Sequence, residues 1–428
     1  MILSTWNERK YDVIVCGAGS AGCAAAWGAA RTGARTLLVE RLGFPGGTPV
    51  ASAIHTLDAV YSCRDHSQPV VGGFAAALIE ELRRIGGLAC ADNPPEAFSV
   101  NAEHMKVAIG RLFQSTGVEL LYHALAIDAV RRGAAVEGVE AALLDGRSRL
   151  LAHTVIDCTG DAQIAWFAGA EWQMSDDLQS ITYHFRLGNV EPGHTWTELE
   201  EACRAAMHRL APPHLVYGGP WVIRLHEREV SINATRVYGN PLDPAGRTSM
   251  EQRAREDMLQ VAAILRAGVP ALAESYVLAG ATDLHVRESR KIVGDYIFSG
   301  DDLRVRRTFD DAIAVGAWPI DIHPSDGFSG VHPHKENPPE PYQLPYRCLL
   351  PRGIEGLLVA GKPISTTHEA HGSTRIPGTS MATGHAAGVA AALASRAGVT
   401  PRSVDVPQLR ATLLAQGAIL DEAPVPRP

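Results

Sequence analysis

The stretch Tyr11–Glu40, "YDVIVCGAGSAGCAAAWGAARTGARTLLVE", decides the fold. Tyr11–Cys16 is a short apolar run of the kind buried in a parallel strand, Ala24–Thr32 carries helix formers, and Arg35–Glu40 returns to the strand pattern. Together they spell one βαβ unit. Its turn is Gly17-Ala18-Gly19-Ser20-Ala21-Gly22. Gly17 permits the tight bend, Gly19 lets the backbone approach a pyrophosphate, and Gly22 lets the helix pack on the strand. Ser20 and Ala21 belong to the same turn, where a helix N-terminus offers amide donors and a positive dipole to phosphates. Glu40 ends the second strand, placed to bond ribose hydroxyls, and its charge favours FAD or NAD over NADP, whose 2′-phosphate it would repel.

Working outward, 428 residues exceed one simple core and bury roughly three quarters of the unfolded surface, which implies two interleaved domains. With 47 acidic against 39 basic residues and no long basic run, the charge argues against a nucleic-acid partner. The seven cysteines are odd in number, scattered and free of any CxxC pair, as expected of reduced thiols in a cytoplasmic protein. The leading "MILSTWNERK" lacks the apolar region of a secretory signal. The Ala/Gly run at Gly384–Leu393 is well short of the ~20 apolar residues of a membrane span.

Helices are expected near Phe74–Ile85, Glu103–Ser115, Met250–Ala267 and Thr379–Arg396. Alternating strands at residues 118–162 form a small meander, and "SITYHFRLGNV" and "WVIRLHEREVSINATRV" read as half-exposed strands. Pro and His crowd between Pro319 and Pro345, a long loop region of the kind that carries function. "GLLVAGKPIS" then resumes the buried-strand pattern. The expected class is α/β: a Rossmann-like cofactor domain with a parallel sheet and β-meander, interrupted by an inserted, mainly β substrate domain. The boundaries are 1–170 for the first part, 171–345 for the insertion, 346–400 for the closing part and 401–428 for a terminal helix and tail.

The ordered blocks "YDVIVCGAGSAG", "ERLGFPGG", "VIDCTGDA", "HFRLGNV", "INATRVYG", "VRESRKIVGDYIFSGDDL", "FDDAIAVGAWPIDIHPSDG", "PYRCLLPRGIEGLLVAGKPIS" and "THEAHGSTR" resemble the FAD-dependent oxidoreductase family of the glutathione-reductase-type fold. That resemblance covers nearly the whole chain and implies non-covalent FAD and a flavin redox reaction. It extends the cofactor site to Arg41, Gly46, Gly47 and Thr48, and to the Thr159-Gly160-Asp161 turn, where Asp161 is either a hydrogen-bond acceptor for the cofactor or an ordinary turn residue. Where two-domain flavoprotein reductases follow Gly-Gly-Thr with a CxxxxC pair, this chain has Pro49 and Val50. No redox disulfide forms, so electrons pass directly between flavin and substrate. His55, just beyond, is a candidate catalytic group or a merely polar one.

The second glycine-rich stretch, Leu357–Leu393, reads as the other end of the same site. Gly361 lets the chain pass the ribityl or phosphate part, and Gly378-Thr379-Ser380-Met381 opens a helix toward the flavin ring, where negative charge develops on reduction. His368, His371 and Arg375 immediately before it are candidate catalytic groups, with structural hydrogen bonding as the alternative. A Glu288–Arg290 ion pair is expected at the domain junction. Asp321, His323, His332 and His334 lack closed metal-ligand spacing and read as a lid or substrate loop rather than a metal site. The expectation is an FAD-dependent dehydrogenase or oxidase of a small metabolite, its electron acceptor oxygen or a redox partner. The rivals are a flavin-dependent monooxygenase and a non-catalytic flavin-binding subunit.

Overall fold

Lys10–Cys16 is a middle strand of a seven-stranded sheet, pairing in parallel with Thr36–Val39 on one side and with the second half of Gly146–Asp157 on the other. The structure is a computed structural model, and it describes residues 4–63, 68–89, 97–217, 219–323 and 341–421. Glu119–Leu121 extends the sheet past Thr36–Val39, and Leu357–Val359 extends it past Gly146–Asp157, both in parallel. Strands covered on both faces need apolar residues at every position, which is why "VIVC" and "TLLV" do not alternate. The first half of Gly146–Asp157 instead continues an antiparallel meander through Ala135–Leu143 to Leu125–Arg132. Chain segments more than 300 residues apart thus meet in one sheet, and the α/β class implied by the sequence is what forms.

The helix Ser20–Arg31 covers this sheet, and the long helix Pro377–Ala397 packs along it. The contact is backbone on backbone. A Cβ on Gly384 would overlap the carbonyl oxygen of Ala21, and one on Gly388 would overlap that of Ala25. Four-residue spacing puts both glycines on one helix face, so the two axes approach as closely as their main chains permit. Gly22 plays the expected part toward the strand, since a Cβ there would overlap the Gly17 carbonyl. Trp27 closes the interface, edge-on to Phe74 at 5.8 Å and to His385 at 5.2 Å. Burial drives His385 down to about 4, so it sits neutral with Nε2 donating to Gln416 Oε1 at 2.8 Å.

A second, antiparallel sheet has the order Trp221–His226, Glu229–Asn233, Phe185–Gly188, Tyr276–Gly280. Its inner residues Phe185, Leu187, Val230 and Ile232 share an apolar core with the helices Trp196–Leu210 and Pro244–Gly268, through Leu199, Cys203, Val261 and Leu265. Trp196–Leu210 is not singled out by periodicity, but its start is marked by a capping box in which Thr195 and Glu198 satisfy each other's amides. The two sheets are tied by a few backbone contacts: Thr282 and Asp283 amides donate to the Ala51 carbonyl, and Ser231 Oγ donates to that of Ala53. Between these ties a cleft remains. Among the described residues, no helix is long and apolar enough to cross a membrane.

Gly388→Ala should lower stability by about 3 kcal/mol in urea titration, the upper range for overpacking, because backbone rather than a side chain must yield. Gly110→Ala, on a helix with nothing within 4 Å of the added carbon, should instead stabilise by about 0.5–1 kcal/mol. Equal effects at the two positions would refute the close helix contact.

Candidate functional site

The cleft is a cavity of about 570 Å³. One wall comes from the glycine turn. Gly17 has φ +96°, and a Cβ there would press within 2.5 Å of the Cys158 carbonyl oxygen, so only glycine serves. Gly19 N-caps the first helix with no side-chain hydrogen bond, leaving its first-turn amides without a side-chain acceptor. A Cβ on Gly19 would meet nothing closer than Gly47 Cα at 3.9 Å; the space in front of it is open. Ser20 Oγ is buried beside it without a partner. Open space against a glycine, unsatisfied helix amides and an orphaned hydroxyl are what a pyrophosphate would fill, so these residues fit a dinucleotide.

Gly17, Gly19, Ser20, Ala21, Glu40, Arg41, Gly47 and Thr48 all line the cavity. Gly22 and Gly46 do not: Gly22 packs on the strand, and a Cβ on Gly46 would overlap the Val50 side chain. Glu40 braces its own loop, accepting from the Ala18 amide at 2.6 Å and the Leu42 amide at 2.8 Å. Each oxygen retains a lone pair for a further donor. Arg41 is ion-paired with Asp283, which also takes Arg247 at 3.0 Å.

Thr159, Gly160 and Asp161 line the cavity as well. Thr159 is fixed by Asp157 Oδ1, at 3.0 Å from its amide and 2.7 Å from its hydroxyl. Asp161 Oδ1 already accepts from Ser289 Oγ at 2.6 Å and Lys362 Nζ at 3.1 Å. Burial alone would raise its pKa, yet Lys362, Ser289 and Arg247 hold it below the ordinary range. Lys362 also lines the cavity, a position the sequence pattern does not single out.

The closing helix differs from expectation in detail. Its entry reaches the cavity through Ile376, Pro377 and Ser380, and Gly361 lines it too, a Cβ there coming within 2.7 Å of Ala21 Cβ. Gly378, Thr379 and Met381 do not line it. Gly378 is pressed on the backbone of Asp58 and Ala59, while Thr379 and Met381 are fully buried. The glycines of this stretch make room for protein, with Gly361 the one that also borders the cavity.

Of the four expected catalytic groups, Arg375 alone lines the cavity. His368 starts the short helix His368–Thr374, which turns it to Glu288 Oε1 and Ser175 Oγ, each 2.9 Å away. His371 is buried with Nε2 3.0 Å from the Arg287 carbonyl, and burial pushes it down to about 3. His55 is buried beneath the wall and pushed by burial down to about 4. The expected Glu288–Arg290 pair is corrected as well. Glu288 pairs with Lys291 at 2.5 Å and with His368, whereas Arg290 bonds the Asp161 carbonyl and Gln163 Oε1, both at 3.0 Å. Residues 286–290 are not a strand, so no period-2 alternation governs them.

Other side chains line the cavity as well: His184, His285, Arg287, Trp318, Asp321 and His323. Arg375 Nη2 donates to the carboxylate and the carbonyl of Asp321, both at 3.0 Å, and His323 Nε2 lies 3.2 Å from Asp321 Oδ2. Burial, reinforced by Arg287, holds His184, His285 and His323 well below the ordinary histidine range. All three are neutral near pH 7. His332 and His334 lie outside the described residues. The sequence signals for this wall are the Pro- and His-rich loop that holds Asp321 and His323, read as a lid or substrate loop, and the density of His and Arg in "HVRESR", a segment with no period to aim it.

Residues 12–413 match the family described as FAD dependent oxidoreductase. Among curated proteins, an 81-residue segment is 43% identical to the tRNA uridine 5-carboxymethylaminomethyl modification enzyme MnmG of Geobacter sulfurreducens, 19% of this chain and 10% of that one. The match thus spans about a tenth of that relative's length. Among solved structures, the myxobacterial chondrochloren halogenase CndH aligns over 94% of this chain and 77% of its own, at 14% identity and TM-score 0.49. A geranylgeranyl bacteriochlorophyll reductase-like protein of Thermoplasma acidophilum aligns over 95% and 83%, at 13% identity and TM-score 0.47.

Gly19→Val should leave the folded chain about as stable without ligand, since its side chain meets open space, and should lower FAD affinity at least ~10²-fold by occupying that space. Calorimetric titration beside a urea melt checks this; unchanged FAD affinity would contradict the placement.

Proposed function

Because this chain belongs to the FAD dependent oxidoreductase family, we propose that it dehydrogenates a small organic metabolite at a C–H bond next to oxygen or nitrogen. When bound, FAD supplies the two-electron acceptor for a hydride; the chain supplies the rest. The turn Gly17–Gly22 and the first helix would hold the pyrophosphate, and Glu40 would take a ribose hydroxyl. The entry of the helix Pro377–Ala397 faces the same cavity through Ile376, Pro377 and Ser380, where its positive end favours developing negative charge.

As the hydride leaves carbon, the substrate O–H or N–H loses a proton, and the product is a carbonyl or imine. His285 is the side chain assigned to take that proton. It lines the cavity, its Nδ1 is buried without a partner, and burial with Arg287 keeps it neutral and able to accept. An imidazole in the cavity wall with an unpartnered nitrogen among the described residues is the observation that carries the reading. Trp318 lines the same cavity. The physiological electron acceptor is oxygen or a redox partner.

Anaerobic mixing of the FAD-loaded protein with a panel of alcohols, amines and hydroxy acids should bleach the visible flavin band with at least one class. An enzyme that inserts oxygen would remain oxidised with all of them and need a separate reductant. His285→Ala should slow the bleaching by ~10²- to 10⁴-fold with FAD still bound. A lowered pKa means that the neutral, proton-accepting form survives as pH falls through 6.5. The parent's reduction rate should therefore stay flat from pH 8 to below 6; a fall centred near 6.5 would contradict the assignment.

A further inference from the structure

The charges around the cavity are unevenly distributed. One part of the lining sets Arg41, Arg247 and Lys362 against Glu40, Asp161 and Asp283, three cations and three anions, with Asp161 and Asp283 taking the ion pairs and Glu40 the amides of Ala18 and Leu42. A second part of the lining carries Arg287 and Arg375 against the carboxylates of Asp321 and Asp58, and Arg236, outside the lining, shares the Thr182 hydroxyl with Arg287. Glu288, nearby, is taken up by Lys291. With Arg236 counted, one positive charge is left over among the described residues, and the surrounding histidines are neutral.

Hydrogen bonding shows the same excess of donors. Arg287 is 2% exposed; its Nη1 serves the Ser180 carbonyl at 2.8 Å and Thr182 Oγ1 at 2.5 Å, while its Nε is buried with no acceptor among the described residues. Arg236 is 7% exposed and leaves Nη2 unpartnered, its guanidinium held flat over the Tyr217 ring at 4.1 Å. Arg375 leaves Nε unpartnered, and so does the Trp318 indole. Buried guanidinium N–H groups without acceptors are costly, and three converge where one unit of positive charge is unbalanced.

We propose that this wall is a carboxylate-binding subsite, so that the substrate is a small monocarboxylate whose anionic group is held by Arg287 with Arg375 and Arg236 while its oxidisable carbon faces the cofactor side. The inference rests on the reading of this cavity as the substrate site. A planar carboxylate matches the guanidinium fork and cancels one charge; a phosphate dianion would overfill it. The aromatic Trp318 in the same wall accommodates a ring or an alkyl chain.

Benzoate and its neutral isostere benzamide, with inorganic phosphate as a third probe, test this by calorimetry on the FAD-loaded protein without turnover. Benzoate should bind at least ten-fold tighter than benzamide and tighter than phosphate. Arg287→Gln should abolish that preference. Arg287→Lys, which keeps the buried charge and guards against misfolding, should weaken benzoate several-fold with little effect on benzamide. Equal binding of benzoate and benzamide, binding of neither, tighter binding of phosphate, or indifference of both variants would each overturn the subsite. Failure of anaerobic reduction by every donor would instead overturn dehydrogenation and leave a measured benzoate preference standing.

Discussion

The joining of the chain's two ends at the site depends on one contact: the main chain of the helix Pro377–Ala397 lying on that of Ser20–Arg31 at Gly384 against Ala21 and Gly388 against Ala25. Any side chain at these two positions would push the helices apart. Their closeness brings the entry of the second helix beside the glycine turn of the first, so that Gly361 stands against both Ala21 and Ser380. One cavity is therefore built from the two ends of the chain. The strand Leu357–Val359, paired beside residues 155–157, delivers the chain to that point.

Electrostatics then divides the cavity. Near the turn, acids and bases are matched and partly exposed, as suits a cofactor whose own phosphates complete the balance with helix amides. On the far wall, burial sets the terms. It strips the proton from His184 and His285, and the arginines reinforce this because a second positive charge is costly beside them. Imidazoles held neutral by burial and buried guanidiniums stand side by side in this wall. Neither property would survive in open water, where the histidines would titrate near 6.5 and the guanidiniums would be hydrated.

The βαβ unit, the meander and the strands of the second sheet are legible in the sequence because each depends on a local pattern: unbroken apolar runs, alternation, or glycines at fixed spacing. Gly17 and Gly19 are readable for the same reason. The closing stretch misleads because glycine has two uses. Gly378 resembles a cofactor turn but makes room for the carbonyls of Asp58 and Ala59. His368 and His371 adjoin the right helix in sequence, yet a short helix capped by Thr367 rotates both away from the cavity. Asp321 and His323 are readable as members of a lid or substrate loop, but no pattern aims Arg287 and His285 at the cavity, because they lie in irregular segments whose direction is set by tertiary contacts.

Hydrogen exchange during titration of the FAD-free protein with FAD tests the shared site most directly. Amides at residues 17–23 and at residues 376–383 should gain protection together, with the same midpoint and at one FAD per chain. Protection confined to the first segment, with the second unchanged at saturation, would contradict a single cavity built from both ends of the chain.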